Sequence, residues 1–532
     1  MAWKKVCSDL DEGGLGIKSL ICLNEATNLK LCWDLMHSKE QWAIIIRNRT
    51  LRGTYCIHHH IFSSIWNGIK QEFNTIKENT TWLVGNGEKI QFWSDSWCRE
   101  PILQALNLTQ HQIQEYPQRL SSFIHNHQWN IPDNLHQILP NLRRLFSQVT
   151  IPIQQIEDEL IWYHNNIGTL TMKDAFEFKQ KHFLKKHWAK LMWSKDFPPS
   201  KSLMVWRLMM NKLPTDENLI TRGCNIPSMC SLCNKQVENS FHLFFEFPYS
   251  INIWCWFASI LNLNLQFQSI DDIWSICERA WNPQCKTVII AAMINIINCI
   301  WFAKNQIRFN NQKIHWKSSV SLIIANTTFI GNYTSAVASS VMTDFIILNK
   351  FNVMIHPPKA PKIIEVLWNP PTFQCIKCNT DGSANHATSA CGGIFRDKYS
   401  NFLLCFAQNT GQGTAFQAEL CGAVKAIELA HLYQWKYLWL KVDSALVVHA
   451  ITNNSLVPWK IRNRWNNCMV MIQSMSFLDT HIYREGNNCD DTLANIGLNL
   501  DHLTIWTQLP VSISSHFAQN RLGMPRYRFV NH

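Results

Sequence analysis

The sequence lacks the segments that mark secreted or membrane-spanning chains. Residues 1–5 include two lysines, but no apolar core follows them, so a signal peptide is not expected. The most apolar stretch, 288–301, is interrupted by Asn295 and Asn298 and is shorter than the roughly 20 residues that cross a bilayer. We therefore predict a buried helix there and an intracellular protein, nuclear or cytoplasmic, without a membrane partner.

A disulfide framework, sequence repeats and low-complexity tracts are also missing. The 19 cysteines are scattered singly, many within apolar runs, which is typical of buried thiols in a reducing compartment. A hydrophobic content of 46% with 24 tryptophans supports packed cores and excludes global disorder. Because single cores seldom exceed about 250–300 residues, a chain of 532 residues is expected to form several domains.

Acidic residues are outnumbered by basic ones, 38 against 49, which gives a formal charge of +11. This excess favours an anionic partner such as nucleic acid. The basic residues form no cluster that is typical of a nuclear import signal.

Four acidic residues in the last third of the chain stand where a carboxylate has a specific role: Asp381, Glu419, Asp443 and Asp491. Asp381 and Asp443 each end an alternating, strand-like run, whereas Glu419 lies within a helix pattern and Asp491 opens a short helix. Such carboxylates can converge on one point, where they repel one another unless divalent cations occupy the site. Two Mg²⁺ ions held in this way catalyse in-line attack on a phosphodiester. The pattern therefore predicts a metal-dependent nuclease.

Around these residues the sequence predicts an α/β domain, a five-stranded mixed sheet with flanking helices, preceded by helical amino-terminal and middle regions. The clearest helix is expected from Ala415 to His431, with a capping box formed by Thr414 and Gln417. The expected strands are 374–381, 391–398, 401–408, 437–443 and 480–484.

The motifs that contain the four carboxylates resemble the ribonuclease H-like domain of plant non-LTR retroelement reverse transcriptases, over about 366–505. These motifs are 379–383, 392–397, 417–420, 442–444 and 481–495. The resemblance implies a ribonuclease H fold and an endonuclease that cuts the RNA strand of RNA–DNA hybrids. It also implies that Asp381 bridges two Mg²⁺ ions, with Glu419 and Asp443 completing one metal site and Asp491 holding the other ion. The alternatives are a catalytically inactive nucleic-acid-binding remnant of a retroelement polyprotein, and a fragment with no stable function outside its parent.

Three details of this region bear on its activity. Many cellular ribonucleases H carry a histidine in the loop before the last aspartate, but 485–490 contains none, and His481 is expected on the preceding strand, so turnover is expected to be slow. Of the adjacent Asp490 and Asp491, the motif frame favours Asp491. The basic, aromatic stretch 459–465 could bind a phosphate backbone. The favoured interpretation is an amphipathic helix whose tryptophans pack on the sheet and whose basic residues lie in water.

Upstream, Cys230, Cys233 and His242 resemble the zinc-binding module of the same retroelement proteins, and two cysteines at this spacing suit one side of a tetrahedral zinc site. The module usually supplies its fourth ligand as a cysteine five residues after the histidine, where this sequence has Phe247. Three possibilities stay open: Cys224 replaces that ligand, water replaces it, or the cysteines are reduced structural residues in an aromatic core without zinc.

The first part of the chain resembles the region that follows the polymerase palm in these retroelements. The matching motifs are 3–7, 13–17, 24–33 and 84–97. An Asn-Gly turn at Asn86 and Gly87 predicts a hairpin within 82–98. Because no Tyr/Phe-x-Asp-Asp motif occurs, the chain is expected to begin after the polymerase active site and not to extend a primer.

The expected domains follow one another along the chain. They are a remnant of the post-palm region at 1–110, a mostly helical connector at 111–186, the zinc-binding module at 187–265, a helical segment at 266–351, a proline-rich linker at 352–371, the ribonuclease H-like domain at 372–505, and a tail at 506–532.

Overall fold

Two units, each assembled from two separate stretches of sequence, make up the fold. The first combines 1–23 with 180–360, and the second combines 24–179 with 361–532. The consecutive domains expected from the sequence are therefore interleaved. The computed structural model describes residues 3–52, 55–56, 65–98, 100–132, 135, 146, 149–226, 229–230, 233, 235–338, 341–372 and 374–530.

The first unit is helical and is built around one long apolar helix, Pro283–Asn310. The side chains of this helix are mostly buried, in agreement with the buried helix predicted over 288–301. Its length and composition would suffice to cross a membrane, but 72% of its most apolar window is buried. The other helices of this unit with at least eight residues are Pro199–Met209, Pro248–Leu261, the 3-10 helix Asp271–Glu278, Trp316–Tyr333 and Met342–Lys350.

Residues 24–179 of the second unit form short helices and two-stranded ribbons. The described helices are Leu20–His37, which begins in the first unit, Gln41–Thr50, Trp66–Gln71, Phe73–Glu78, Ile102–Ala105 and Met172–Lys179. The paired strands are Leu51–Arg52 with Tyr55–Cys56, Thr80–Leu83 with Glu159–Trp162, and Ile124–His125 with Gln128–Trp129. The described part of 111–186 is thus a mixture of strands, turns, one α-helix and the short 3-10 helices Gln110–Ile113 and Leu120–Phe123, unlike the mostly helical connector expected there. Residues 133–148 lie largely outside the described residues.

The hairpin predicted within 82–98 is wrong, because Thr80–Leu83 pairs with Glu159–Trp162. The cause is the buried carboxylate of Asp158, which accepts hydrogen bonds from three backbone N–H groups of the turn. The donors are Gly85 at 2.7 Å, Gly87 at 2.9 Å and Lys89 at 2.9 Å. Charge-assisted bonds of this kind are strong, and here they replace the cross-strand bonds of a hairpin.

We expect Asp158→Ala to destabilise the second unit by about 3 kcal/mol, because it leaves three backbone N–H groups without their acceptor. Denaturant unfolding measures the loss. Glu157→Gln is the matched control, since that neighbouring carboxylate is solvent-exposed and forms an exposed ion pair with Lys89. Equal stability of the two variants would show that Asp158 does not hold this turn.

The carboxy-terminal part of the second unit contains a mixed sheet of six strands in the order β5–β4–β1–β2–β3–β6. β1 to β3 form an antiparallel meander, and β4 and β5 run parallel to β1. The strands are β1 (Ile376–Ala384), β2 (Ser389–Arg396), β3 (Phe402–Gly411), β4 (Tyr437–Val442), β5 (Ser476–His481) and β6 (Thr504–Trp506). The helices are α1 (Ala415–Leu432), α2 (Ala445–Thr452), α3 (Trp459–Ile472), α4 (Asn488–Gly497) and α5 (Val511–Arg521).

This sheet has the predicted order of elements with one more strand. Five strands were expected, and the sixth, β6, pairs antiparallel with β3 at the very end of the expected domain. The predicted capping box of Thr414 and Gln417 is present at the start of α1. The apolar face of α1 packs on the sheet and forms the core of this part of the unit.

The linker and the tail also differ from expectation. Lys362–Val366, inside the expected linker, pairs antiparallel with Arg526–Val530, inside the expected tail. Together the two segments form a two-stranded ribbon. The tail further contributes α5, which packs against α4 through Ile513 and Phe517.

Candidate active site

Two glycines allow helices to approach the sheet closely enough to bring distant carboxylates together. A Cβ atom at Gly382, next to Asp381 on β1, would lie 2.2 Å from the backbone nitrogen of Glu419 on α1. A Cβ atom at Gly392 on β2 would lie 2.5 Å from the backbone nitrogen of Ala494 on α4. No side chain fits in either gap, so glycine is required for α1 and α4 to pack where they do.

Asp381, Glu419 and Asp443 converge at the carboxyl-terminal end of β4. Asp381 lies on β1, Asp443 directly follows β4, and Glu419 projects from the second turn of α1. Each of the three offers an oxygen atom that lies within 4.8 Å of the other two. Asp381 is 4% exposed, and the other two are half-buried.

Burial and mutual repulsion hold protons on this cluster when no cation is present. Burial, with the neighbouring Asp443, raises the pKa of Asp381 to about 8. Burial, with Asp443 and Asp381, raises the pKa of Glu419 to about 9. Burial also raises the pKa of Asp443, whose Oδ1 has no hydrogen-bond partner in the part of the chain that the structure describes. An unpartnered oxygen among crowded, buried carboxylates fits a divalent cation, because hard cations bind oxygen ligands.

Asp491 lies beside this cluster but outside the three-carboxylate group. Its Oδ1 accepts a hydrogen bond from Nη2 of Arg484 at 2.9 Å, and its Oδ2 accepts one from Nδ2 of Asn495 at 3.2 Å. Its charge still contributes to the raised pKa of Asp381 and of Asp443. Of the four carboxylates predicted to converge, the structure therefore brings three together and keeps the fourth next to them in an ion pair.

The neighbouring Asp490 points the other way, into the interior. It is 1% exposed, and burial raises its pKa to about 8 although the charge of Arg396 opposes this rise. Only Asp491, of these two aspartates, reaches the open side of the cluster, as the motif frame predicted. The buried side chain of Asn487 fixes the start of α4, because its amide donates to the carbonyl oxygen of Thr380 and accepts from Asn379.

Arg484 and Asn487 are site residues to which the sequence patterns gave no role. The Arg484 side chain is 74% exposed and lies against Asp491. Its charge opposes the rise in the pKa of Glu419 and of Asp443 that burial causes. The signal in the sequence was the spacing, since Arg484 and Asn487 precede Asp491 by seven and four residues.

His481 lies on the strand before the loop, as predicted, but this strand covers Ser476–His481 and not the expected 480–484. Its Nε2 lies 3.0 Å from the backbone carbonyl oxygen of Asp443, and its ring packs edge-on against Tyr483. These contacts hold the end of β5 next to the end of β4.

The basic, aromatic stretch 459–465 forms the first half of α3. Trp465 is fully buried in the domain core, as the favoured interpretation predicted, whereas Trp459 packs against Tyr163 and donates to the carbonyl oxygen of Asn165.

The two arginines of this stretch are not simply in water. Arg464 forms a bidentate ion pair with Glu428, and Arg462 pairs with Glu159. Between them, Asn463 donates to the carbonyl oxygens of Val84 and Thr150. This face of α3 is therefore an internal contact of the second unit, and Lys460 is the exposed basic residue of the stretch.

In the first unit, Cys230, Cys233 and His242 come together as predicted, each with a ligand atom within 4.8 Å of the other two. Nε2 of His242 lies 3.5 Å from Sγ of Cys233. Burial opposes ionisation of the Cys233 thiol, but backbone N–H groups at 235 and 236 outweigh it and lower the pKa. A lowered thiol pKa and a buried imidazole fit zinc, which binds thiolate and neutral histidine.

The fourth position of this group is not filled by a side chain among the described residues. Phe247 ends the π-helical turn His242–Glu246 and stacks on Tyr249, and Cys224 is exposed. The Glu246 carboxylate lies 3.4 Å from Nδ1 of His242, on the side of the ring away from the cysteines. A carboxylate at this position is typical of the outer shell around a metal-bound histidine.

Comparisons with known proteins cover both sites. A family described as "Reverse transcriptase-like" matches 379–497, and one described as "zinc-binding in reverse transcriptase" matches 170–254. An Arabidopsis thaliana protein named "putative ribonuclease H protein" is 22% identical over 547 aligned positions, which span 99% of this chain and 86% of that protein.

Among solved structures, ribonuclease H1 from Halobacterium salinarum is 22% identical, covers 23% of this chain and 97% of its own, and has a TM-score of 0.21. LC11 ribonuclease H1, solved in complex with an RNA/DNA hybrid, is 22% identical, covers 23% of this chain and 96% of its own, and has a TM-score of 0.22.

Proposed function

Because the chain is a retroelement-type protein with a zinc-binding reverse-transcriptase module and a reverse transcriptase-like, ribonuclease H-like domain, we propose that it is a divalent-metal-dependent endonuclease that cleaves the RNA strand of RNA–DNA hybrids. The observation that carries this proposal is the convergence of Asp381, Glu419 and Asp443, whose ligand oxygens lie within 4.8 Å of one another. One buried and two half-buried carboxylates with raised pKa values repel one another, and among the described residues no cationic side chain belongs to their group. Such a group suits a bound cation.

In this proposal Asp381, Glu419 and Asp443 hold Mg²⁺, and Asp491 completes the site. Bound Mg²⁺ supplies Lewis-acid activation of water and stabilisation of the leaving 3′ oxygen. Asp381 is central because it lies deepest and its charge interacts with both Asp443 and Asp491. In the structure Oδ1 of Asp491 accepts a hydrogen bond from the exposed guanidinium of Arg484. In this proposal that guanidinium contacts a phosphate of the hybrid.

The rival function is binding of nucleic acid without cleavage. A substrate panel separates the two functions. The full-length protein is incubated with end-labelled RNA–DNA hybrid, double-stranded RNA and double-stranded DNA, with Mg²⁺ or with EDTA. The proposal predicts cutting of the RNA strand of the hybrid alone, and only with Mg²⁺. Retention of intact hybrid by folded protein would instead establish the binding remnant.

We further propose that Cys230, Cys233 and His242 hold one zinc ion with water in the fourth position. Cys233→Ser is expected to lower the thiolate charge-transfer absorption of the Co²⁺-substituted protein by half or more, because it removes one of the two proposed thiolate ligands. Cys224→Ser is the matched control and is expected to leave the spectrum unchanged, since Cys224 is exposed and outside the group. Loss of the band in the Cys224 variant would assign the fourth ligand to that cysteine.

A further inference from the structure

A second set of metal-binding side chains lies in the first unit, far along the sequence from both sites above. Asp9, Glu12 and His182 each offer a ligand atom within 4.8 Å of the other two. Asp9 and Glu12 flank a tight 3-10 turn, Leu10–Glu12, that ends at Gly13 in the left-handed conformation. His182 comes from the segment that returns 170 residues later, and its Nδ1 lies 3.1 Å from Oε1 of Glu12.

One oxygen atom of the buried Glu12 carboxylate has no hydrogen-bond donor among the described residues. The side chain is 4% exposed, and the oxygen atom in question is Oε2. Glu12 lines a cavity of about 240 Å³ together with Lys5, Ser8 and Lys186, among others. In the described part of the chain, the side chain paired with the Glu12 carboxylate is the imidazole of His182, which is charged only when protonated. Burying an unpaired carboxylate oxygen is costly, so this oxygen points to a cation that the side chains do not supply.

Asp9 adds a second carboxylate without a side-chain cation. Its Oδ1 accepts from the side-chain amide of Gln180 at 3.2 Å, and this bond leaves its charge uncompensated. The adjacent Asp11 differs, because it pairs with Lys185 at 3.2 Å and its backbone carbonyl accepts from Lys186. Within this turn Asp11 is neutralised by a lysine, whereas the carboxylates of Asp9 and Glu12 lie close to the imidazole of His182.

We propose that Asp9, Glu12 and His182 form a third metal site, which binds a borderline divalent cation such as Zn²⁺ or Mn²⁺. Two carboxylate oxygens and one imidazole nitrogen suit these ions, whereas Mg²⁺ and Ca²⁺ prefer oxygen ligands alone. The bound ion compensates the buried charge of Glu12. The ion also links residues 9–12 to residue 182 and so closes a loop of about 170 residues. Closing this loop stabilises the folded unit because it reduces the conformational entropy of the unfolded chain.

The test is the Zn²⁺ content of full-length protein, stripped with chelator, reloaded with Zn²⁺ and dialysed. Glu12→Gln and His182→Ala are each expected to lower the content by one equivalent relative to wild type. His182 is 59% exposed, so its truncation is compatible with folding even if Glu12→Gln is not. Zn²⁺ is also expected to raise the melting temperature of wild type more than that of His182→Ala.

Asp11→Asn is the matched control, because it changes a carboxylate of the same turn that the proposed site does not use. Its Zn²⁺ content is expected to equal that of wild type. Cys233→Ser is expected to remove the Zn²⁺ ion of the separate cysteine site. The double variant His182→Ala/Cys233→Ser should therefore lose two equivalents of Zn²⁺. Equal Zn²⁺ content in wild type, His182→Ala and Asp11→Asn would overturn the proposal.

Discussion

Replacing Asp381 by asparagine is expected to lower the rate of Mg²⁺-dependent hybrid cleavage on the order of 1000-fold while the protein stays folded. Asp381 lies deepest in the carboxylate cluster and interacts electrostatically with Asp443 and Asp491. Asparagine keeps the shape and the oxygen atom that can accept a hydrogen bond, but removes the charge that holds a cation. Single-turnover cleavage of end-labelled hybrid by full-length protein measures the loss.

Asp501→Asn provides the control for this experiment. Asp501 is an exposed aspartate of the same unit, just after α4, and it lies outside the carboxylate group. Its replacement is expected to leave the cleavage rate within about twofold, in line with ordinary surface substitutions. A rate for Asp381→Asn within tenfold of wild type would mean that cleavage does not depend on this cluster.

The second large effect is a loss of stability at high pH when divalent cations are absent. The folded-state pKa of Asp381 is raised to about 8 and that of Glu419 to about 9, whereas both groups titrate near 4 in an unfolded chain. Between these pH values the folded state holds protons that the unfolded state has released. Stability from these groups is therefore complete below about pH 4 and is lost as pH rises towards 8–9.

Glu419→Gln isolates this contribution. In EDTA, wild type is expected to lose about 2 kcal/mol more stability than the variant between pH 6 and pH 9, a difference of several degrees in melting temperature. A comparison with a variant is required because other buried groups also titrate. Burial lowers the pKa of Lys377 to about 6, and a lysine with a lowered pKa gives a slope of the opposite sign.

Saturating Mg²⁺ is expected to remove the difference in slope between wild type and Glu419→Gln, because the cation replaces the protons on the carboxylates. If the stability of wild type and of Glu419→Gln changed with pH in the same way in EDTA, this result would contradict the raised pKa of Glu419. A difference that persists unchanged with Mg²⁺ would show that the cluster does not bind the cation.

The parts of the site that the sequence predicted are those with a local signal. Asp381 and Asp443 follow alternating strand patterns, and α1 has both an apolar face and a capping box at Thr414. Such patterns report secondary structure directly, since burial on one face of a strand or helix dictates the residue types there. The position of Glu419 relative to Asp381 then follows from the glycine beside Asp381, which lets α1 pack against β1.

What the sequence did not reveal depends on partners that lie far along the chain. The Asn-Gly turn at 86–87 suggested a hairpin, but the acceptor that shapes this turn is Asp158, about 70 residues away. The arginines of α3 were expected in water, yet the segment near 150–167 covers this helix and supplies Glu159. The strand 362–366 inside the linker finds its partner in the tail. No local pattern encodes such pairings.

The ion pair of Asp491 with Arg484 is likewise a contact that no local sequence pattern encodes. A sequence motif places Asp491 with the other carboxylates but does not specify whether it faces them or a neighbouring cation. The structure, without a metal ion, has Asp491 bonded to Arg484 at 2.9 Å.

The measurement that tests the account most directly is the initial rate at which wild-type, full-length protein cuts the RNA strand of an RNA–DNA hybrid as Mg²⁺ is titrated. The account predicts no product in EDTA and a rate that rises with Mg²⁺ to a plateau. Absence of product at every Mg²⁺ concentration, from folded protein that binds the hybrid, would contradict the nuclease and leave a nucleic-acid-binding protein.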